Sequence, residues 1–223
     1  KPFVKEALNK GLLNEQDIDA ALRGNIRVAI RLGLLDGKEE NPYSQIGVRD
    51  TIDPWTKPEV KQFVREVTSK SVVLLKNATS LLPLDLKKIK SVAVIGPRAD
   101  QVLPDWYSGN PPYKVTVLQG IKNACGNGIK VTFAEENRMD EAVMAAKSAD
   151  VAIVVVGNNP TGAVNEWKVS PVPSDGKEAV DRKSLTLEQE DLVKLVYQAN
   201  PKTIMVLMSN FPYAINWSAE NVP

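Results

Sequence analysis

Two stretches gather the residues that could do chemistry. "PRADQVLPDWYSGNPPYKV" (97–115) holds two Asp, Arg98, Trp106, Tyr107 and Tyr113. "NNPTGAVNEWKVSPVPSDGKEAVDRK" (158–183) holds Glu166, Trp167, Asp175, Glu178, Asp181 and Arg182. The chain has no histidine and one cysteine, Cys125. That excludes a Ser–His–Asp triad, a His–Zn site and an imidazole base. It also excludes an internal disulfide, a zinc ribbon and a CxxC pair. Carboxylates, Lys, Tyr or backbone groups must therefore carry any reaction within these residues. Asp and Asn beside flat aromatic faces suit sugar hydroxyls and ring faces, with loop packing as the alternative. A carboxylate near an Arg is more often a surface ion pair than a catalytic group. The length of the second stretch argues the other way. From Gly157 to Thr186 it far exceeds the ordinary connection of ~2–6 residues, and such loops are functional or disordered. Trp167 and four valines argue against disorder.

The elements that position these loops read clearly. "SVAVIG" (91–96), "IKVTFAE" (129–135), "DVAIVVVG" (150–157) and "TIMVLMS" (203–209) read as strands. Helical patterns at 117–125, 139–149 and 186–199 separate them. The Val/Ile-rich runs lack alternation, so helices should cover both faces. Strand–helix–strand repetition predicts a mostly parallel, doubly wound α/β sheet. Ligands in such sheets bind beyond the carboxyl ends of the strands, where both candidate loops lie. Upstream, residues 2–35 read as two helices. Asn14 caps the second, with Ile18, Ala21, Leu22, Ile26, Ala29 and Ile30 at helical spacing and Gly33 or Gly37 as its stop. Pro42, Pro54 and Pro58 punctuate a linker over 37–58. A long helix is expected from Pro58 to about Lys76. "NWSAENVP" (216–223) suggests no closing element, and the chain reads as a piece of a longer protein.

Composition narrows the partners. The 223 residues carry a net charge of +1, with 43% hydrophobic and 25% charged residues. No electrostatic case exists for nucleic acid or an anionic membrane surface, and no apolar run suits a membrane span. No signal peptide is visible. "VAVIGPRAD" and "VVVGNNPTG" place Gly after a strand, as nucleotide sites do. Neither has GxGxxG, and Pro97 and Pro160 remove backbone donors that phosphate would need. Cys125 reads as a small packed residue.

Several segments, in order, resemble glycoside hydrolase family 3, the β-glucosidase and β-xylosidase type. They are "GLLNEQDIDAALRGNIRVAIRLGLLD" (11–36), "SVVLLKNATSLLPL" (71–84), "VAVIGPRAD" (92–100), "DWYSGNPPYKVTVLQGIK" (105–122), "EAVDRKSLTLEQEDLVK" (178–194) and "NPKTIMVLMSNFPYAINW" (200–217). The resemblance implies that residues 1–36 are the last helices of a (β/α)8 barrel, 37–58 a linker and 59–223 an α/β sandwich domain. It implies a retaining exo-acting β-glycosidase on β-linked glycosides, without metal or cofactor, whose active site lies between the barrel and the sandwich. A barrel Asp in a Ser-Asp-Trp motif would be the nucleophile. "PSDG" around Asp175 is not that motif, so the nucleophile is expected outside this chain. Glu178 matches the Glu of the family's ExxDR pattern and is expected to be the acid/base, with Glu166 as its rival. Asp181 and Arg182 would pair and brace the loop. Trp106 and Trp167 are candidate sugar platforms, with core or interface packing as the alternative. Relatives are often exported, which favours a periplasmic or extracellular location. A non-catalytic binding module of the same fold is the other reading.

Overall fold

The computed structural model describes residues 2–37, 40–49, 52–135, 138–162 and 171–223. The chain forms two compact units, Lys1–Ser69 and Lys70–Pro223.

The first unit is helical. Helix α1 spans Pro2–Asn9 and α2 spans Glu15–Arg31. Asn14 starts α2 through a reciprocal cap: Asp17 N–H donates to its Oδ1 (3.0 Å), and its own N–H donates to Asp17 Oδ2 (2.9 Å). Such a box satisfies two of the amides that every helix start leaves orphaned. Gly33, at φ 65°, follows the end of α2. The side-chain amide of Asn41 there donates to the carbonyl of Gly33 (3.0 Å). Helix α3 starts at Pro58 as the sequence predicts but ends at Ser71, not at Lys76. Val72–Leu75 run on as an exposed, non-helical segment. Adjacent β-branched Val72 and Val73 are stiff at χ1 and weak helix formers, so the helix stops before them.

The second unit is built on a sheet of four parallel strands in the order β2-β1-β3-β4. They are β1 (Ser91–Ile95), β2 (Lys130–Ala134), β3 (Val151–Gly157) and β4 (Thr203–Met208). Helices α4 (Val117–Cys125), α5 (Met139–Lys147) and α6 (Glu190–Ala199) make the crossovers. Successive strand residues point to opposite faces. Val92, Val94, Val151, Ile153 and Val155 therefore pack with Leu118 of α4, with Cys125 half-buried beside them. Ala93, Ile95, Ala152, Val154 and Val156 face Ala142, Ala145 and Ala146 of α5 and Leu192, Val193 and Val196 of α6. Two covered faces explain why β3 is apolar at every position, and the doubly wound class is as the sequence predicts.

Two expectations about the last elements need correction. Helix α6 begins at Glu190, not at Thr186. Thr186 instead forms a parallel bridge with Ala214, and Leu187 is buried in the core. A closing helix, α7 (Asn216–Asn221), does form. Glu190 holds it by accepting from the N–H and hydroxyl of Ser218 (3.0 and 2.9 Å). Trp217 meets Tyr197 edge-on at 5.9 Å, and Val222 is buried.

The chain leaves β1 toward β2 but leaves β3 toward β4, on the other side. The carboxyl ends of β1 and β3 therefore flank the topological switch point, where open α/β sheets bind ligands.

Candidate active site

Glycines mark where both switch-point loops begin. Gly96 follows β1 at φ 112°, and a Cβ there would lie 2.4 Å from the Val155 carbonyl oxygen. Gly157 ends β3 at φ 129°, and a Cβ would lie 1.8 Å from the Met208 carbonyl oxygen. Only glycine fits where a neighbouring backbone comes this close. Side chains then tie the strand ends together. Arg98 Nε donates to the Gly157 carbonyl (3.1 Å), and Gly157 N–H donates to Gln189 Oε1 (3.1 Å). The Asn158 side chain, buried, donates to Asn210 Oδ1 (2.5 Å). The strand ends are thus a rigid base from which the loops extend.

The long loop after β3 is partly internal. Ser174, Asp175 and Lys177 are buried. The Ser174 hydroxyl donates to the Glu188 carboxylate, and the Ser174 carbonyl accepts from the Tyr213 hydroxyl (3.3 Å). Burial raises the Tyr213 phenol above its ordinary pKa, so it stays a donor. A Cβ on Gly162 would lie 2.9 Å from Lys177 Cδ and 3.2 Å from Asp175 Oδ2, so the start of the loop packs on its middle. The polar run of this loop therefore has a buried root.

On that root stands a tight turn. Val180 N–H donates to the Lys177 carbonyl (3.2 Å), the two residues bridge as antiparallel strands, and Ala179 sits at φ 58°. Glu178 is at the tip, with its side chain exposed. Arg182 does not turn to Asp181, and no ion pair joins them among the described residues. Its guanidinium lies 4.7 Å from the Phe211 ring centroid and 5.2 Å from that of Tyr213, and donates to the Pro212 carbonyl (2.8 Å). A planar cation stacks on aromatic faces as readily as it pairs with carboxylates, which is why an adjacent Asp–Arg in sequence need not be a pair. Gly176 makes room for it: a Cβ there would lie 2.6 Å from Arg182 Cγ and Cδ. Ala179–Leu185 and Phe211 line a groove of about 610 Å³ beside the turn.

The loop after β1 reaches this turn. The Tyr107 hydroxyl lies 2.8 and 3.0 Å from the two carboxylate oxygens of Glu178, across 71 residues of chain. Glu178 beside it, with a lesser push from Asp105, raises the phenol above its ordinary pKa. Asp105 fixes the loop, accepting from Tyr107 N–H (2.9 Å) and from the Ser108 hydroxyl (2.8 Å). These bonds, that from Ser108 first, hold the Asp105 carboxyl below its usual range. Trp106 is half-buried in the same turn. Glu166 and Trp167 lie outside the described residues. The sequence places Tyr107 among the aromatic residues of a candidate sugar-binding loop and gives it no part in proton transfer. The signal that could have found it is the Asp-x-x-Ser spacing of "DWYS", which suits a side-chain-closed turn. Among the described residues, no cluster of three or more Cys, Asp or Glu could hold a metal ion, and no helix is long and apolar enough to cross a membrane.

Residues 72–223 match the Glycosyl hydrolase family 3 C-terminal domain. The chain belongs to glycoside hydrolase family 3. It is 33% identical over 239 aligned positions to a beta-xylosidase of Formosa agariphila, covering 99% of this chain and 30% of that protein. It is 31% identical to a periplasmic beta-glucosidase of Salmonella typhimurium, covering 96% of this chain and 30% of that one. The chain thus spans less than a third of the length of these relatives. Solved structures share the fold. The beta-glucosidase of Listeria innocua, in complex with isofagomine, superposes with a TM-score of 0.78 at 22% identity, over 98% of this chain and 29% of that one. A family 3 beta-glucosidase from Neurospora crassa gives 0.59 at 27% identity, over 74% and 21%.

Proposed function

We propose that this chain supplies the acid/base carboxylate, Glu178, of a retaining exo-acting β-glycosidase, a β-glucosidase first and a β-xylosidase next. The observation that carries this reading is the placement of Glu178. It stands at the tip of a turn with a buried root, on a loop leaving the ligand-binding end of the sheet. Family membership and the ExxDR pattern support it.

The mechanism follows from two carboxyl groups flanking the glycosidic bond. The nucleophile is an Asp on a barrel portion outside this chain. It attacks the anomeric carbon as the Glu178 carboxyl gives its proton to the departing oxygen. The resulting Glu178 carboxylate then takes a proton from water, which attacks the glycosyl–enzyme ester and frees the Asp. Retention requires the two carboxyl groups to stand only about 5–5.5 Å apart, so the turn must be held firmly. Arg182 serves this end by anchoring the turn to Phe211 and Tyr213, and Asp181 occupies the same turn. Trp106 and Trp167 are the proposed sugar platforms. In this reading residues 1–36 end the barrel, 37–58 link it and 59–223 belong to the sandwich. The partners are a β-linked glycoside and the barrel of the same protein.

Glu178→Gln and Glu166→Gln in the full-length protein test the assignment. Glu178→Gln lowers hydrolysis of substrates with poor leaving groups by ~100-fold or more, within the range of general acid catalysis, and azide restores turnover of activated substrates. The same loss and rescue in Glu166→Gln instead moves the role to Glu166. No loss in either variant leaves a non-catalytic carbohydrate-binding module as the reading.

A further inference from the structure

The Glu178 side chain has three rotatable bonds and stands exposed at the tip of its turn. A proton donor must be held to within a fraction of an ångström of its target oxygen. Arg182 is engaged with the rings of Phe211 and Tyr213 and with the Pro212 carbonyl. Among the described residues, the hydrogen bonds to Glu178 come from one side chain, Tyr107. We infer that Tyr107 is a positioning residue for the Glu178 carboxyl group, holding it across the switch point from the opposite loop. The inference rests on the acid/base assignment of Glu178.

Three observations support it. Tyr107 is itself fixed, because its N–H is bound by Asp105, and Asp105 and Ser108 close the turn around it with bonds of 2.8 and 3.1 Å. Its position follows from the sheet: the two loops leave adjacent parallel strands, and Gly96, Arg98 and Gly157 lock their starting points together. Its chemistry also suits the task. The charged groups facing the phenol, Glu178 and Asp105, both favour its protonated form, so it remains a donor. A phenol donates one hydrogen bond and keeps its proton. It can bind one carboxyl oxygen while the other faces the leaving group. As the proton of Glu178 passes to the glycosidic oxygen, the Tyr107 hydroxyl is already placed to hydrogen-bond the carboxylate that forms. The same bond keeps that carboxylate aimed at the incoming water in the second step.

The test is the leaving-group dependence of kcat/KM for aryl β-glycosides in the full-length protein. A dinitrophenolate departs without protonation, whereas a phenolate or alkoxide does not. Tyr107→Phe is expected to lower kcat/KM by about 3- to 10-fold for poor leaving groups, the range of one modest hydrogen bond. It leaves dinitrophenyl glycosides unchanged. In a Glu178→Gln background it adds no further loss, because its effect passes through that carboxyl group. Tyr107 is 79% exposed, so the variant keeps its melting temperature. Asp105→Asn, which loosens the turn beneath Tyr107, shows the same pattern at smaller amplitude. An equal loss for all leaving groups, or none, overturns the inference. The acid/base assignment still stands if Glu178→Gln keeps its own leaving-group dependence. If Glu178→Gln shows no such dependence, both fall together.

Discussion

Three residues illustrate how local geometry decides what a position tolerates. Gly157 is one: a Cβ would lie 1.8 Å from the Met208 carbonyl oxygen, and φ is 129°. Gly157→Ala is expected to cost about 3 kcal/mol or more, seen as a lower denaturant midpoint with an unchanged slope. Asp150 is another. Its Oδ2 accepts from the backbone N–H of Lys90 (2.7 Å) and Ser91 (2.9 Å), which hold its carboxyl below the ordinary value of 3.8. A depressed folded value means that the contribution is fully present above the unfolded value and is lost as pH falls through the folded one. Asp150→Asn should therefore lower the melting temperature at neutral pH, and the gap to the wild type should close below about pH 4. A gap that persists in acid would assign the loss to packing instead. Glu178 is the third. With Glu166 as its rival, the resemblance to the family's ExxDR pattern is what marks it in sequence. Its partner Tyr107 does not stand out, because the pairing depends on two loops meeting 71 residues apart.

At the scale of elements, the long loop after β3 separates into a root, a turn and a return. The root buries Ser174, Asp175 and Lys177, polar types that sequence reasoning assigns to the surface. Loop length and Trp167 identify the segment as more than a tether, but its inward half is invisible to hydropathy. Arg182 carries the turn by stacking on Phe211 and Tyr213. Arg182→Ala should cost about 1 kcal/mol and speed amide hydrogen exchange over 174–184, while exchange in β3 stays slow. The α6 boundary has a related cause. Apolar spacing suggests a start at Thr186, but Leu187 is drawn into the core and Gln189 spends its side chain on the Gly157 N–H. Helix α3 shows the reverse case. Apolar spacing continues past Ser71, and backbone preference at Val72–Val73 ends the helix before the pattern does.

For the whole molecule, the sheet unit has a covered core on both faces, while the first unit buries no helix residue. Leu22, Ile26 and Ile30 form an apolar stripe on α2 that is about half exposed. Under the proposed function, the 223 residues alone should not hydrolyse an aryl β-glucoside, and activity should return when the barrel portion is supplied. Activity from the isolated chain would place the nucleophile within it.

The sequence by itself determines the class of sheet, since Val/Ile runs without alternation require two covered faces. It determines the family, through ordered motifs spread over nearly the whole chain. It also restricts the chemistry to carboxylates, Lys, Tyr or backbone groups, since histidine is absent. Only the tertiary structure decides that Arg182 stacks on rings instead of pairing with Asp181, that the polar loop is rooted in the core, and that Tyr107 meets Glu178. The physical reason is common to all three. Periodicity and composition report on contacts within an element or between a face and the core, whereas these contacts join loops that only the order of the strands brings together.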